Sequence, residues 1–175
     1  MTNKKSKPEE GIFELGTWKV PAGKNNIRSG DPCNFGGPSF TVKPGVWRAW
    51  TTIRDTSLGW GFRNHDLIVG LSGYNPHSLV FSSEEEGIID VDSGQAGFYN
   101  SESAVDDGGD DHPSSYSEIC DTTLETQYQA GMVSFGVTSS SGFGDGGYPV
   151  YVARDAENKI IGLKVVFISD EDESC

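Results

Sequence analysis

The sequence predicts a mainly β fold, an antiparallel β-sandwich or open barrel with one short helix packed on it. Three observations carry this. Glycine is abundant, 23 of 175 residues, which favours turn-dense sheet architecture over helical bundles. Apolar and polar residues alternate in several strand-length runs. A single stretch repeats its apolar residues with the period of a helix.

The elements follow in chain order. "IFELGTWKVPAG" alternates Phe13, Leu15 and Thr17 before a Pro-Ala-Gly stop, a short strand and turn. "SGDPCNFGGPSFTVKPG" reads as loop, broken by Gly and Pro every few residues. "VWRAWTTIRD" sets Trp47, Ala49, Thr51 and Ile53 against Arg48, Trp50, Thr52 and Arg54, one apolar face and one aromatic-basic face. "DLIVGLS" is its expected partner strand, and "SLVFSSEEEGIIDVDSG" gives two short strands around an acidic turn. "SESAVDDGGDDHPSS" reads as an exposed acidic loop.

Tyr116, Ile119, Cys120, Thr123, Leu124, Gln127 and Tyr128 then fall on one helical face, with Pro113 suited to the start and Gly131 to the end. "MVSFGVTS", "YPVYVAR" and "IIGLKVVFI" predict a three-stranded antiparallel meander. Its first turn is the glycine-rich "SGFGDGG". The organisation expected is a flexible arm over 1–10, a single β-rich domain over 11–169 and an acidic tail over 170–175.

Composition narrows the function classes. No run of about 18 apolar residues is present, so no membrane span is expected. The N-terminus lacks the apolar core of a signal peptide. Cys33, Cys120 and Cys175 are odd in number and lack metal-type spacing, which favours free thiols and a cytoplasmic location. The net charge of −13 is unevenly placed. Residues 1–80 carry ten Lys and Arg against six Asp and Glu; residues 81–175 carry three against twenty. Without basic clustering, direct nucleic-acid binding is disfavoured. An acidic face suits a basic protein partner, a cation or plain solubility.

Gly142, Gly144, Gly146 and Gly147 surround Asp145. A phosphate loop needs a helix N-terminus after the glycines, and here the strand pattern Tyr148-Pro149-Val150-Tyr151-Val152 follows. Asp145-Gly146 is therefore read as a hairpin turn, with Pro149 marking an edge strand or bulge. Asp90 and Asp92, two apart, would share one strand face and repel unless paired or metal-bound. With Asp145 they form a candidate Ca²⁺ site; the alternative is an Asx-type turn at Asp92-Ser93-Gly94, with no cofactor.

Catalytic candidates are thin. His65, His77 and His112 are scattered, no Gly-x-Ser-x-Gly motif occurs, and a Cys120–His112 pair competes with a core role for the thiol. No catalytic residue is assigned. Arg48, Trp50, Trp60 and Arg63 could stack a sugar ring or anchor a partner, or could pair and pack within the sheet.

"DVDSGQAGFYN", followed after a variable acidic region and a helix by "GFGDGGYPVYVARDAENKIIGLKVVF", resembles a bacterial family of domains of unknown function, family 4241. The shared pattern is Gly-Asp-Gly-x-Tyr-Pro-Val entering a terminal hairpin, and "DPC" and "KPGVWRAW" fit its first half loosely. Asn100 stands where that pattern leads one to expect an acid. The resemblance implies the all-β fold and transfers no catalytic residue.

Together these features favour a non-enzymatic acidic interaction protein. An immunity or inhibitor protein of a bacterial or phage conflict system, binding a basic effector, would fit. Its expected contact residues are Glu102, Asp106, Asp107, Asp110 and Asp111 in the loop, with Asp170, Glu171, Asp172 and Glu173 in the tail. The alternatives are a small-ligand or carbohydrate-binding module using Arg48, Trp50, Trp60 and Arg63, or a Ca²⁺-dependent domain.

Overall fold

The structure is a computed structural model and describes residues 9–56, 59–107 and 111–170. Among the described residues eleven strands and one helix succeed one another. They are β1 (Gly11–Val20), β2 (Ile27–Gly30), β3 (Ser39–Phe40), β4 (Gly45–Thr56), β5 (Gly61–Leu71), β6 (Gly87–Val91) and β7 (Gln95–Asn100). Then come α1 (Tyr116–Glu125), β8 (Ala130–Val133), β9 (Gly136–Ser140), β10 (Gly146–Arg154) and β11 (Ile160–Val166). They form a six-stranded sheet, β1-β4-β5-β11-β10-β6, and a five-stranded sheet, β3-β2-β7-β9-β8. Neighbouring strands are antiparallel throughout. Neither sheet closes on itself, so the architecture is the sandwich and not a closed barrel.

Alternation decides which side chains face the other sheet. From the larger sheet Trp47, Ala49, Leu67, Val69, Ile89, Val150, Val152, Leu163 and Val165 point inward, meeting Ile27, Ala96, Phe98 and Val137 of the smaller one. Burial of this set is the main stabilising term of the domain. Trp18 donates from Nε1 to Asn100 Oδ1 at 3.1 Å, and Asn100 Nδ2 donates to Lys19 O at 2.9 Å. Asn100 therefore clasps β1 to β7, a task that needs a donor and an acceptor on one side chain.

Two smaller clusters lie outside the sandwich. Phe35, Tyr99, Ala104, Ile119 and Val133 pack beneath α1 on the far face of the smaller sheet. Trp50, Ile68, Leu79, Ala153 and Ile161 pack on the outer face of the larger one. There Gly70 pairs with Gly162 across β5 and β11. A Cβ at either glycine would meet the Leu79 methyls at 2.8–3.1 Å, so the two glycines make the notch that seats Leu79.

The structure corrects several expectations. β1 is ten residues long, with register passing from Glu14↔Trp50 to Gly16↔Ala49. The bulge at Leu15 breaks the Phe13-Leu15-Thr17 alternation and turns Trp18 and Val20 inward. β8 and β9 form their own hairpin in the smaller sheet, while β10 and β11 belong to the larger. The C-terminal strands are thus two hairpins in different sheets, and the glycine-rich segment carries the chain between them. On α1, Ile119 and Thr123 are buried and Cys120 half-buried, but Leu124 is 79% exposed, because the helix rests on a narrower stripe than its apolar pattern spans.

Candidate functional site

The turn after β6 is organised by a residue the sequence reading passed over. Asp31 is buried, and its carboxylate accepts four hydrogen bonds. Oδ2 accepts from the Asp92 and Ser93 amides, both at 2.7 Å. Oδ1 accepts from the Cys33 amide at 2.8 Å and from Ser93 Oγ at 2.6 Å. Charge-assisted bonds of this number offset the cost of burying a carboxylate. On the other side of the turn, Gly94 N donates to Asp145 Oδ1 at 3.0 Å, and Ser141 N donates to Gly94 O at 3.0 Å. Gly142 takes φ +71°, and a Cβ there would lie 2.6 Å from Asn64 O, so the crossing between sheets requires glycine.

Asp145 is therefore an exposed latch on the β6–β7 turn rather than a hairpin apex. Asp90 is on β6, whereas Asp92 lies past its end with its own amide held by Asp31. Among the described residues no group of three or more His, Cys, Asp or Glu is placed to hold a metal ion. Asp90, Asp92 and Asp145 are not gathered into such a group, and the Gly94 amide that an Asx-type turn at Asp92 would use is donated to Asp145 Oδ1 instead.

β6 is the edge of its sheet. Its pairing with β10 matches Pro149 to Ile88 and Gly147 to Asp90. Proline has no N–H, so Pro149↔Ile88 is a non-hydrogen-bonded pair, and by alternation so is Gly147↔Asp90. The N–H and C=O of Ile88 and Asp90 consequently point away from β10, along the open edge. Both side chains are exposed, Ile88 at 50%. Glu84 and Glu85 precede this edge and Asp92 follows it, all exposed. Pro149 itself sits one residue before pairing with β11 begins at Val150↔Val165, on a strand interior to the sheet.

The acidic loop lies beyond the same turn. His112 Nδ1 is 3.4 Å from Cys33 O, and its ring lies 4.3 Å from that of Tyr116. His112 thus engages the Asp31 loop and not the Cys120 thiol, which accepts from Gln95 Nε2 at 3.3 Å. Burial, followed by Asp31, pushes the Cys33 thiol up to about 12, which disfavours the reactive thiolate at neutral pH. Glu102, Asp106, Asp107 and Asp111 are exposed, and Asp107 accepts from the Ser114 amide at 2.9 Å. Asp110, Glu171, Asp172 and Glu173 lie outside the described residues. Asp170 is exposed and pairs with Arg54 at 3.1 Å.

The aromatic-basic set does not form one platform. Trp50 is 4% exposed within the outer-face cluster, beneath Arg48, whose guanidinium sits 4.8 Å above it and pairs with Glu14 at 3.0 Å. Trp60 is exposed and packs edge-on against Phe143 at 4.9 Å. Arg63 faces Arg54 across the β4–β5 pair. A sugar-stacking face built from Arg48, Trp50, Trp60 and Arg63 is therefore not assembled: one ring is packed inward and the other belongs to the far end of the strands.

A groove of about 880 Å³ does open on this outer face, lined by residues that include Thr52, Asp66, Ile68, Phe81, Tyr151 and Lys164. Lys164 Nζ lies 4.6 Å from the Phe81 ring and 5.8 Å from Tyr151. Asp66 keeps part of its surface in the groove, but its Oδ1 is cut off from solvent and has no hydrogen-bond partner among the described residues. Burial raises the Asp66 pKa above the ordinary carboxylate range, against a hydrogen bond from Thr52 and the charges of Lys164, Arg54 and His65. The sequence signal for these two was the single charge inside each of two otherwise apolar runs, "HDLIVGL" and "IIGLKVVFI".

Among the described residues, no helix is long and apolar enough to cross a membrane. Comparison with curated proteins and with solved structures returns no match. Residues 83–165, from the approach to β6 through nearly all of β11, match the family model described as a protein of unknown function, DUF4241. It is this segment, which holds the acidic edge, the latched turn and the crossing loop, that is similar to that family.

Proposed function

We propose that this protein is a non-enzymatic binding protein that receives a basic protein partner along the open edge of β6. One observation carries the reading: Ile88 and Asp90 turn their backbone groups away from β10 and carry exposed side chains, on an edge strand flanked by Glu84, Glu85 and Asp92. An extended segment of a partner can add to such an edge through main-chain hydrogen bonds, with an apolar contact at Ile88. The acidic flanks select a basic partner and speed its encounter. Long edge strands are ordinarily blunted, often by lysine or proline; this one has neither, and its acids repel a second copy of itself.

An immunity or inhibitor protein of a bacterial or phage conflict system is the role that fits this chemistry. An acidic edge of this kind would cover the basic face of a nuclease or other nucleic-acid-binding effector. The test is capture of partners from the native host by the wild type, by Ile88→Pro and by a variant with Asp90 and Asp92 changed to Asn. A basic polypeptide retained by the wild type, lost with Ile88→Pro and weakened by neutralisation supports the reading. Equal retention by all three proteins overturns it.

A further inference from the structure

We propose that the outer-face groove binds a small zwitterion of the amino-acid class, with its ammonium on Asp66 and its carboxylate on Lys164. The strand register fixes the frame. Asp66 lies opposite Val166, and Lys164 opposite Ile68, so the two charged residues occupy one diagonal of a four-residue square. Diagonal neighbours on a sheet face stand roughly 7–8 Å apart. Ile68 and Val166 hold the other diagonal, and both line the groove.

The charges on this diagonal are not satisfied by each other. Lys164 forms no salt bridge with a described residue and leans over the Phe81 and Tyr151 rings. Asp66 keeps Oδ1 buried and without a donor among the described residues. A buried acceptor left unmatched is costly, and it is retained where a ligand completes it. The acceptor calls for an N–H donor, the ammonium for an anion, and the apolar floor between them for a short carbon frame. A molecule with an amine and a carboxylate a few atoms apart meets all three. A neutral sugar supplies no anion, and a simple carboxylate leaves Asp66 unmatched.

The neighbouring Arg54–Asp170 pair closes one end and is well exposed, with side chains 46% and 91% accessible, so it restricts entry little. Leu79 closes the other end from its glycine notch. The groove is on the face of the larger sheet, whereas the proposed partner surface is its β6 edge, so either can fail without the other.

Thermal denaturation of the full chain, with the common α-amino acids, β-alanine and γ-aminobutyrate added singly, tests the proposal. At least one is expected to raise Tm by roughly 5 °C near saturation. The corresponding alkylamine and carboxylic acid, each alone, are expected to leave it unmoved. Asp66→Asn and Lys164→Met should each abolish the shift while remaining folded by circular dichroism. No shift with any amino acid overturns the proposal. So does a shift that survives both substitutions, or one produced equally by glucose or by the amine alone.

Discussion

The β6 edge and the outer-face groove concentrate charge in opposite ways. On the edge Glu84, Glu85, Asp90 and Asp92 have one sign and are exposed, so they cost the fold little and act outward over a Debye length. In the groove, signs are mixed and part of the charge is cut off from water, so the cost falls on the folded state itself. The first pattern suits a large partner approached through solution. The second suits a ligand small enough to enter and complete the missing bonds.

That contrast is broken most forcefully at Asp31, which holds the edge in place without belonging to its surface. Asp31→Ala leaves three amides and one hydroxyl without their acceptor, and a loss of about 3–5 kcal/mol is expected in urea denaturation. A loss below 1 kcal/mol would mean the turn is held by other means. Leu79→Ala empties the notch between Gly70 and Gly162. About 2–4 kcal/mol should be lost, together with any ligand-induced Tm shift, and partner capture should persist once the variant is folded.

Asp66→Asn sharpens the comparison through its sign. The folded-state pKa of Asp66 is raised by burial, so this group's stabilising contribution is complete below the ordinary carboxylate range and is lost as pH rises through the raised value. Asparagine imitates the protonated form at every pH. The variant should therefore melt a few degrees above the parent at neutral pH and match it in acid. A variant less stable than the parent at neutral pH would show that the ionised carboxylate is a structural asset and not a cost.

The smallest effect belongs to the exposed pair beside β6. Arg154 forks onto Glu86 with both contacts at 2.6 Å and holds its carboxyl below the ordinary range. The sign is opposite to that of Asp66: the contribution is present above the unfolded value and lost as pH falls through the folded one. Both side chains are about a third exposed, so Glu86→Gln should cost under about 1 kcal/mol, less in high salt.

Local pattern was legible where one face of one strand settled the matter. The alternation of Trp47, Ala49, Thr51 and Ile53 gave β4 its buried face, and the Tyr116–Thr123 spacing located α1. What failed was long-range. A Gly-rich segment between two alternating runs serves a hairpin and a crossing between sheets equally well, because both need positive φ and small side chains. Which it is depends on the sheet each run joins, and that is set by partners far along the chain. Trp50 looked like a platform because its strand position is outward; the 72–82 segment, through Leu79, covers it. Asp31 was hidden in a loop of Gly and Pro, since nothing local marks an aspartate three of whose four donors come from residues more than sixty positions away. The acidic edge was legible as charge but not as an edge.

The central claim is that an extended basic segment pairs with β6, and proline scanning of that strand tests it most directly. Affinity for the captured partner should be lost on Ile88→Pro or Asp90→Pro, whose amides face the open edge, and preserved on Asp66→Asn, with all three proteins folded. Undiminished affinity in both proline variants would contradict the account.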